Sequence, residues 1–229
     1  MSSGTGRVKA LLSSPVFVKG VMAVTGIILF GFVLSHMAGN LKVFQGPEEI
    51  NEYAEFLREV GSPVLPKYGL LWILRIGLLA AVVFHFWAAV TLTLQNRRAR
   101  PKGYAVKKPI QLDFASRTMR YSGFLIAGYI IYHLLHFTTG QAHPDFVYGD
   151  VYNNLVIGFQ NPLVAGLYIV INILLGFHLY HGLWSMFQSL GIDHPAIINL
   201  RRPFAVVFAV LVTIGFVSVP ISIVTGVIS

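Results

Sequence analysis

The sequence predicts an all-α integral membrane protein, a single domain over residues 1–229 built as a bundle of five transmembrane helices. Three observations carry this. Hydrophobic residues make up 55% of the chain and charged residues only 11%, against about 25% charged in an ordinary soluble domain. Five apolar stretches are each long enough, as helices, to cross a ~30 Å hydrocarbon slab. The basic residues fall in alternate loops, which places the N-terminus in the cytoplasm and the C-terminus outside.

Residues 1–15 are small, polar and basic, and read as a lead-in. The first span covers about 16–38, with Lys19 near its start and His36 near its end. It is too long for the apolar core of a signal peptide and lacks a small-residue cleavage site. Within the loop 40–68, residues 47–60 read as a short surface helix. Pro47 suits the first helical position and Glu48 and Glu49 the first turn, while Ile50, Tyr53, Leu57 and Val60 recur at helical spacing. The second span, about 68–95, carries Arg75 and His85, and a basic loop follows it. The third, about 121–139, carries His133 and His136. A polar segment leads to the fourth, about 162–188, with His178 and His181 and no acidic or basic residue besides. The loop 191–202 then leads to the fifth, about 203–225, which has no ionisable residue. No sequence repeat is evident.

The formal net charge of +8 raises the question of nucleic acid, but its distribution fits membrane orientation instead. Arg7, Lys9 and Lys19 precede or open the first span. The loop after the second span holds Arg97, Arg98, Arg100, Lys102, Lys107, Lys108, Arg117 and Arg120 against Asp113. Arg201 and Arg202 follow the fourth, against Asp193. On the other side, Lys42, Arg58 and Lys67 face five glutamates, and Asp145 and Asp150 have no basic companion.

Six of the eight histidines lie in the spans. An ionisable group at membrane depth is costly and marks function by default. At ~1.5 Å rise per residue, His36 stands ~6 Å and His133 ~10 Å below the outer ends of their helices, while His85 and His178 stand ~26 Å below theirs. Two layers result, one on the first and third spans and one on the second and fourth. One histidine in a span is more often a helix–helix hydrogen-bonding group. Four helices each supplying one, in two layers, point to two b-type haems wedged between helices with both axial positions filled by imidazole. The iron of such a site is closed to oxygen chemistry, so its work is electron transfer. The chain has no cysteine, which excludes disulfides, iron–sulfur ligation and covalent c-type attachment. His136 and His181, each one turn from a better candidate, read as propionate contacts or packing. His143 and His194 read as ordinary loop residues. Arg75, ~10 Å inside its helix, suits a haem propionate or a quinone oxygen, with snorkelling to the interface equally open. Phe84, Phe86, Trp87 and Tyr180 read as haem lining or as packing.

The segments AVTGIILFGFVLSHMAGN, VVFHFWAAV, RYSGFLIAGYIIYHLLHF and LYIVINILLGFHLYHGLWS surround His36, His85, His133 and His178. With these, nearly the whole chain resembles the diheme cytochrome b subunit, of the b558 type, that anchors succinate dehydrogenase and fumarate reductase (complex II) in many bacteria. The resemblance implies one axial ligand from each of the four helices, and so selects His133 over His136 and His178 over His181. It implies that His85 and His178 hold the haem nearer the cytoplasm, and His36 and His133 the distal one. It further implies a flavoprotein subunit with FAD, an iron–sulfur subunit, a membrane quinone (menaquinone for this type) and a place in the bacterial cytoplasmic membrane. Two rivals stand beside it. One is the diheme anchor of another respiratory complex, of nitrate reductase or hydrogenase type. The other is a transporter using its histidines as relay or ligands, against which the spans hold no acidic residue and no symmetric Gly/Pro break.

Overall fold

A computed structural model describes residues 14–99, 114–192 and 194–229. Arg7, Lys9, Arg100, Lys102, Lys107, Lys108, Asp113 and Asp193, part of the charge pattern above, lie outside them. Every regular element among the described residues is helical.

Proline and short polar caps set the helix starts. Ser14 accepts a hydrogen bond from the Phe17 amide and Pro15 opens α1 (Pro15–Asn40). A 3-10 turn (Leu41–Gln45) ends at Gly46, whose φ of 105° lies in the left-handed region that glycine tolerates, and Pro47 opens the surface helix α2 (Pro47–Glu59). The long α3 (Gly69–Ala99) and α4 (Phe114–Phe137) follow. Next come a short α5 (Val151–Gln160), α6 (Pro162–Ser189) capped by the Asn161 side chain, and α7 (Pro195–Val224).

Three expectations need correction. The loop expected over 191–202 is largely helix, since α7 begins at Pro195 and carries Pro203 inside it. Proline reads as a helix start, and its missing N–H costs one backbone bond. Here the following apolar run continues the helix past it. The helix that holds the expected third span begins earlier, at Phe114, and closes at Phe137, where the Thr138 and Thr139 amides both turn back to the Leu134 carbonyl. The polar lead-in to the fourth span contains α5, capped by Asp150 through the Asn153 amide.

Among the described residues, four stretches are long and apolar enough to cross a membrane: Pro15–Gln45, Gly69–Ala99, Pro162–Ser189 and Ile197–Val224. Helix α4 is not among them. Its two histidines, Ser122 and the tyrosines at 121, 129 and 132 dilute its apolar content.

Helix α1 packs along α3, α4 along α6, and α6 along α7, with α1 also touching α6 and α7. The α6–α7 seam is tight. A Cβ on Gly176 would stand 2.2 Å from the Thr213 hydroxyl, so only a bare backbone fits there. At the end of the bundle where α2 lies, Val43, Ile50, Leu155, Phe159, Tyr168 and Val219 form one core that joins the surface helix to α5, α6 and α7. Asn51 ties α2 to α5: its side-chain oxygen accepts from the Val151 and Tyr152 amides and its nitrogen donates to Asp150.

Candidate functional site

The four histidines selected above meet as two pairs. His36 on α1 faces His133 on α4, with ring centroids 5.8 Å apart and planes at 80°. His85 on α3 faces His178 on α6 at 6.4 Å and 61°. In each pair the helices differ from those that pack together. Extended packing joins α1 to α3 and α4 to α6, and the imidazoles bridge between these two layers.

This geometry fits a haem. Metal–imidazole bonds of about 2 Å on opposite faces of one iron, plus about 1 Å from each nitrogen to its ring centre, place the centroids about 6 Å apart. Both observed separations match. Each pair offers two imidazoles, and among the described residues no three histidines or carboxylates converge into a cage. The buried Nδ1 of His133 has no hydrogen-bond partner among the described residues, which is an orphan in need of explanation.

The two pairs differ in their surroundings. Around His36 and His133 the walls are aromatic: Phe32 stacks on His36 at 5.2 Å, and Tyr129 and Phe137 lie 5.7 and 5.9 Å from His133. Around His85 and His178 stand hydroxyls instead. Thr25 Oγ1 lies 3.1 Å from His85 Nδ1, and Ser122 Oγ lies 3.4 Å from His178 Nδ1.

His136 takes no part in the pairs. It is 1% exposed, and its Nδ1 meets the Tyr168 hydroxyl at 2.9 Å while its ring stacks on Tyr132 and neighbours His143. His181 is half-buried with Trp184 beside it, 5.9 Å away. Arg75 is exposed, its guanidinium 5.2 Å above the Trp72 ring. Phe84 and Trp87 are largely exposed, and the Tyr180 hydroxyl accepts from Arg202.

His143, read from sequence as an ordinary loop residue, is buried and structural. Its Nδ1 accepts from the Asp145 amide, so Nε2 carries the proton and donates to the Asn154 carbonyl at 2.9 Å. With His136 it lines a pocket of about 420 Å³ that also includes Gln141, Gly158, Asn161 and Val164.

Thr25 and Ser122 were missed by sequence reasoning, yet a signal exists. Each hydroxyl stands eleven residues before the histidine on its own helix, is followed by a glycine, and has Gly31 or Gly128 and then Phe32 or Tyr129 at matching places. The reading that the chain holds no repeat is therefore corrected: α1 and α4 share a short pattern ending in His36 and His133.

Helices long and apolar enough to cross a membrane, packed side by side, define a multi-pass membrane protein. The family of that protein follows from its sequence. The chain belongs to the succinate dehydrogenase/fumarate reductase transmembrane subunit family, whose model matches residues 93–218. That match includes Ser122, His133 and His178, while His36 and His85 lie before it. No curated protein and no solved structure shows a significant match to the chain.

Proposed function

We propose that the chain is the diheme cytochrome b anchor of a succinate:quinone oxidoreductase, a five-span protein of the bacterial cytoplasmic membrane with its N-terminus in the cytoplasm. The observation that carries this is the meeting of four histidines from four helices as two facing pairs. His85 and His178 hold the inner haem iron, and His36 and His133 the outer. When bound, each haem supplies reversible one-electron transfer, and two at different depths let charge pass through the membrane.

The protein's own contribution is position and environment. The apolar helices exclude water from the imidazoles, and the crossed pairs hold the two sites apart in depth. Partner subunits carry FAD and the iron–sulfur clusters, which a chain without cysteine or a phosphate-cradling loop leaves to others. They dock at the cytoplasmic end, where Arg97, Arg98, Arg120 and Arg202 give a positive surface. A quinone, menaquinone by the resemblance, exchanges at the outer end. The pocket beside His136 and His143 offers donors and acceptors for its oxygens and an apolar wall for its ring. Arg75 serves a propionate or a quinone oxygen, and His181 is a further contact near the inner site.

The test is a haem-to-protein ratio with a reduced-minus-oxidised spectrum on the purified complex. We expect two low-spin b haems per chain, extractable with acidified solvent, together with a flavin-bearing partner. A colourless protein would return the transporter reading, and one haem per chain would overturn the two-pair arrangement.

A further inference from the structure

The hydroxyls of Thr25 and Ser122 each have one proton, and both protons are committed. Thr25 Oγ1 donates to the Val21 carbonyl at 2.7 Å, within its own helix. Ser122 Oγ donates to the Met119 carbonyl at 3.1 Å. A hydroxyl whose proton is used this way can only accept from a second partner. The Nδ1 atoms of His85 and His178 are therefore the donors. That assignment leaves Nε2 of each ring with its lone pair free, as a metal ligand requires.

The same Nδ1–Cε1 edge of each ring has a second neighbour. The Cε1 atoms of His85 and His178 stand 3.6 Å from the positions a Cβ would occupy on Gly26 and Gly123, the residues next to the two hydroxyls. The Nδ1–Cε1 edge of each imidazole thus faces a hydroxyl acceptor and, beside it, a glycine with no side chain. The arrangement occurs twice, from α1 onto α3 and from α4 onto α6. Among the described residues no hydroxyl bonds either imidazole of the outer pair, and His133 Nδ1 is buried without a hydrogen-bond partner.

We propose that Thr25 and Ser122 are positioning residues that fix the Nδ1–H form of His85 and His178 and make the inner pair the more electron-donating of the two. An imidazole that donates a hydrogen bond through Nδ1–H becomes a stronger base at Nε2. A stronger base favours the oxidised iron, so the hydroxyls lower the inner reduction potential relative to what the same pair would have without them. This rests on the diheme reading above.

The experiment is a redox titration of the purified complex, followed spectroscopically. The inner component is identified as the one absent from His85→Ala. Thr25→Val keeps the shape and removes the acceptor; it should raise the inner midpoint and leave the outer one in place. Ser122→Ala should raise the inner midpoint less, because its contact is longer. Thr25→Ser should restore the wild-type value, which a merely space-filling role for threonine would not do. An inner haem lost in Thr25→Val but kept in Thr25→Ser also supports the proposal. An unchanged midpoint in both Thr25→Val and Ser122→Ala overturns it, as does an equal shift or loss in Thr25→Ser. A wild-type complex that lacks the inner haem overturns the diheme reading itself, and is told apart because it needs no variant.

Discussion

His133 and His136 stand one turn apart on α4 and have different neighbours. His133 points across the bundle to His36, and its Nδ1 is left unpartnered among the described residues. His136 turns the other way, into a buried contact with Tyr168 and towards His143. The imidazole beside it is that of His143, whose two nitrogens are already bonded, so His136 lacks the facing partner an axial pair needs. Alanine in place of His85 or His178 should therefore lower the haem content from two per chain to one by removing the inner spectral component. Replacing His36 or His133 should remove the outer one. His136→Ala and His181→Ala should keep both haems. A pyridine haemochrome assay with difference spectra checks this, and loss of a haem from His136→Ala with retention in His133→Ala would reverse the assignment. The histidines were legible in the sequence because an ionisable group stands out in an apolar span. Thr25 and Ser122 were not, because a hydroxyl in a helix ordinarily bonds back to its own backbone, as both do here. Their second partner exists only after the helices have packed.

At the scale of elements, the long apolar helices were readable from length and composition, and the surface helix from Pro47, its acidic first turn and its periodicity. Helix α5 was not, since ten residues carrying two asparagines inside a polar segment read as loop. What makes it a helix is tertiary. Asn51 from α2 accepts from its first amides, and Asp150 caps it while bonding Asn51 and Asn153. The Asn153 side chain, with its amide and Asn51, holds the Asp150 carboxyl below the ordinary carboxylate range. A depressed folded pKa means that this carboxylate stabilises the fold above its unfolded pKa of about 4, and the contribution is lost as pH falls through the lower folded value. Asp150→Ala should thus destabilise the α2–α5 cap by about 1 kcal/mol at neutral pH, the usual worth of an N-cap. The difference from wild type should shrink in acid. Hydrogen exchange of the α5 amides at both pH values reads it, and a difference that is independent of pH would remove the carboxylate from the explanation.

Taken whole, the molecule sets two imidazole pairs at different depths between a basic end and an acidic one. In the proposed topology Glu48, Glu49, Glu52, Glu55, Asp145 and Asp150 lie at the outer end, beside the pocket of His136 and His143. Arg97, Arg98, Arg120 and Arg202 lie at the inner end, near the pair His85–His178. Reduction of quinone at the outer end by electrons delivered at the inner end moves negative charge outward. An inside-negative potential favours that direction by about 2.3 kcal/mol per charge per 100 mV when the whole membrane is crossed. Succinate-dependent quinone reduction in sealed, energised vesicles should therefore slow when an uncoupler collapses the potential, and fumarate reduction by quinol should speed up. Detergent-solubilised complex, which feels no potential, should be indifferent to the uncoupler and serves as the control. If vesicles behave like the solubilised complex, quinone reacts on the cytoplasmic side. The outer pair then holds a haem that the main electron route does not need, and the pocket beside His136 loses its proposed ligand.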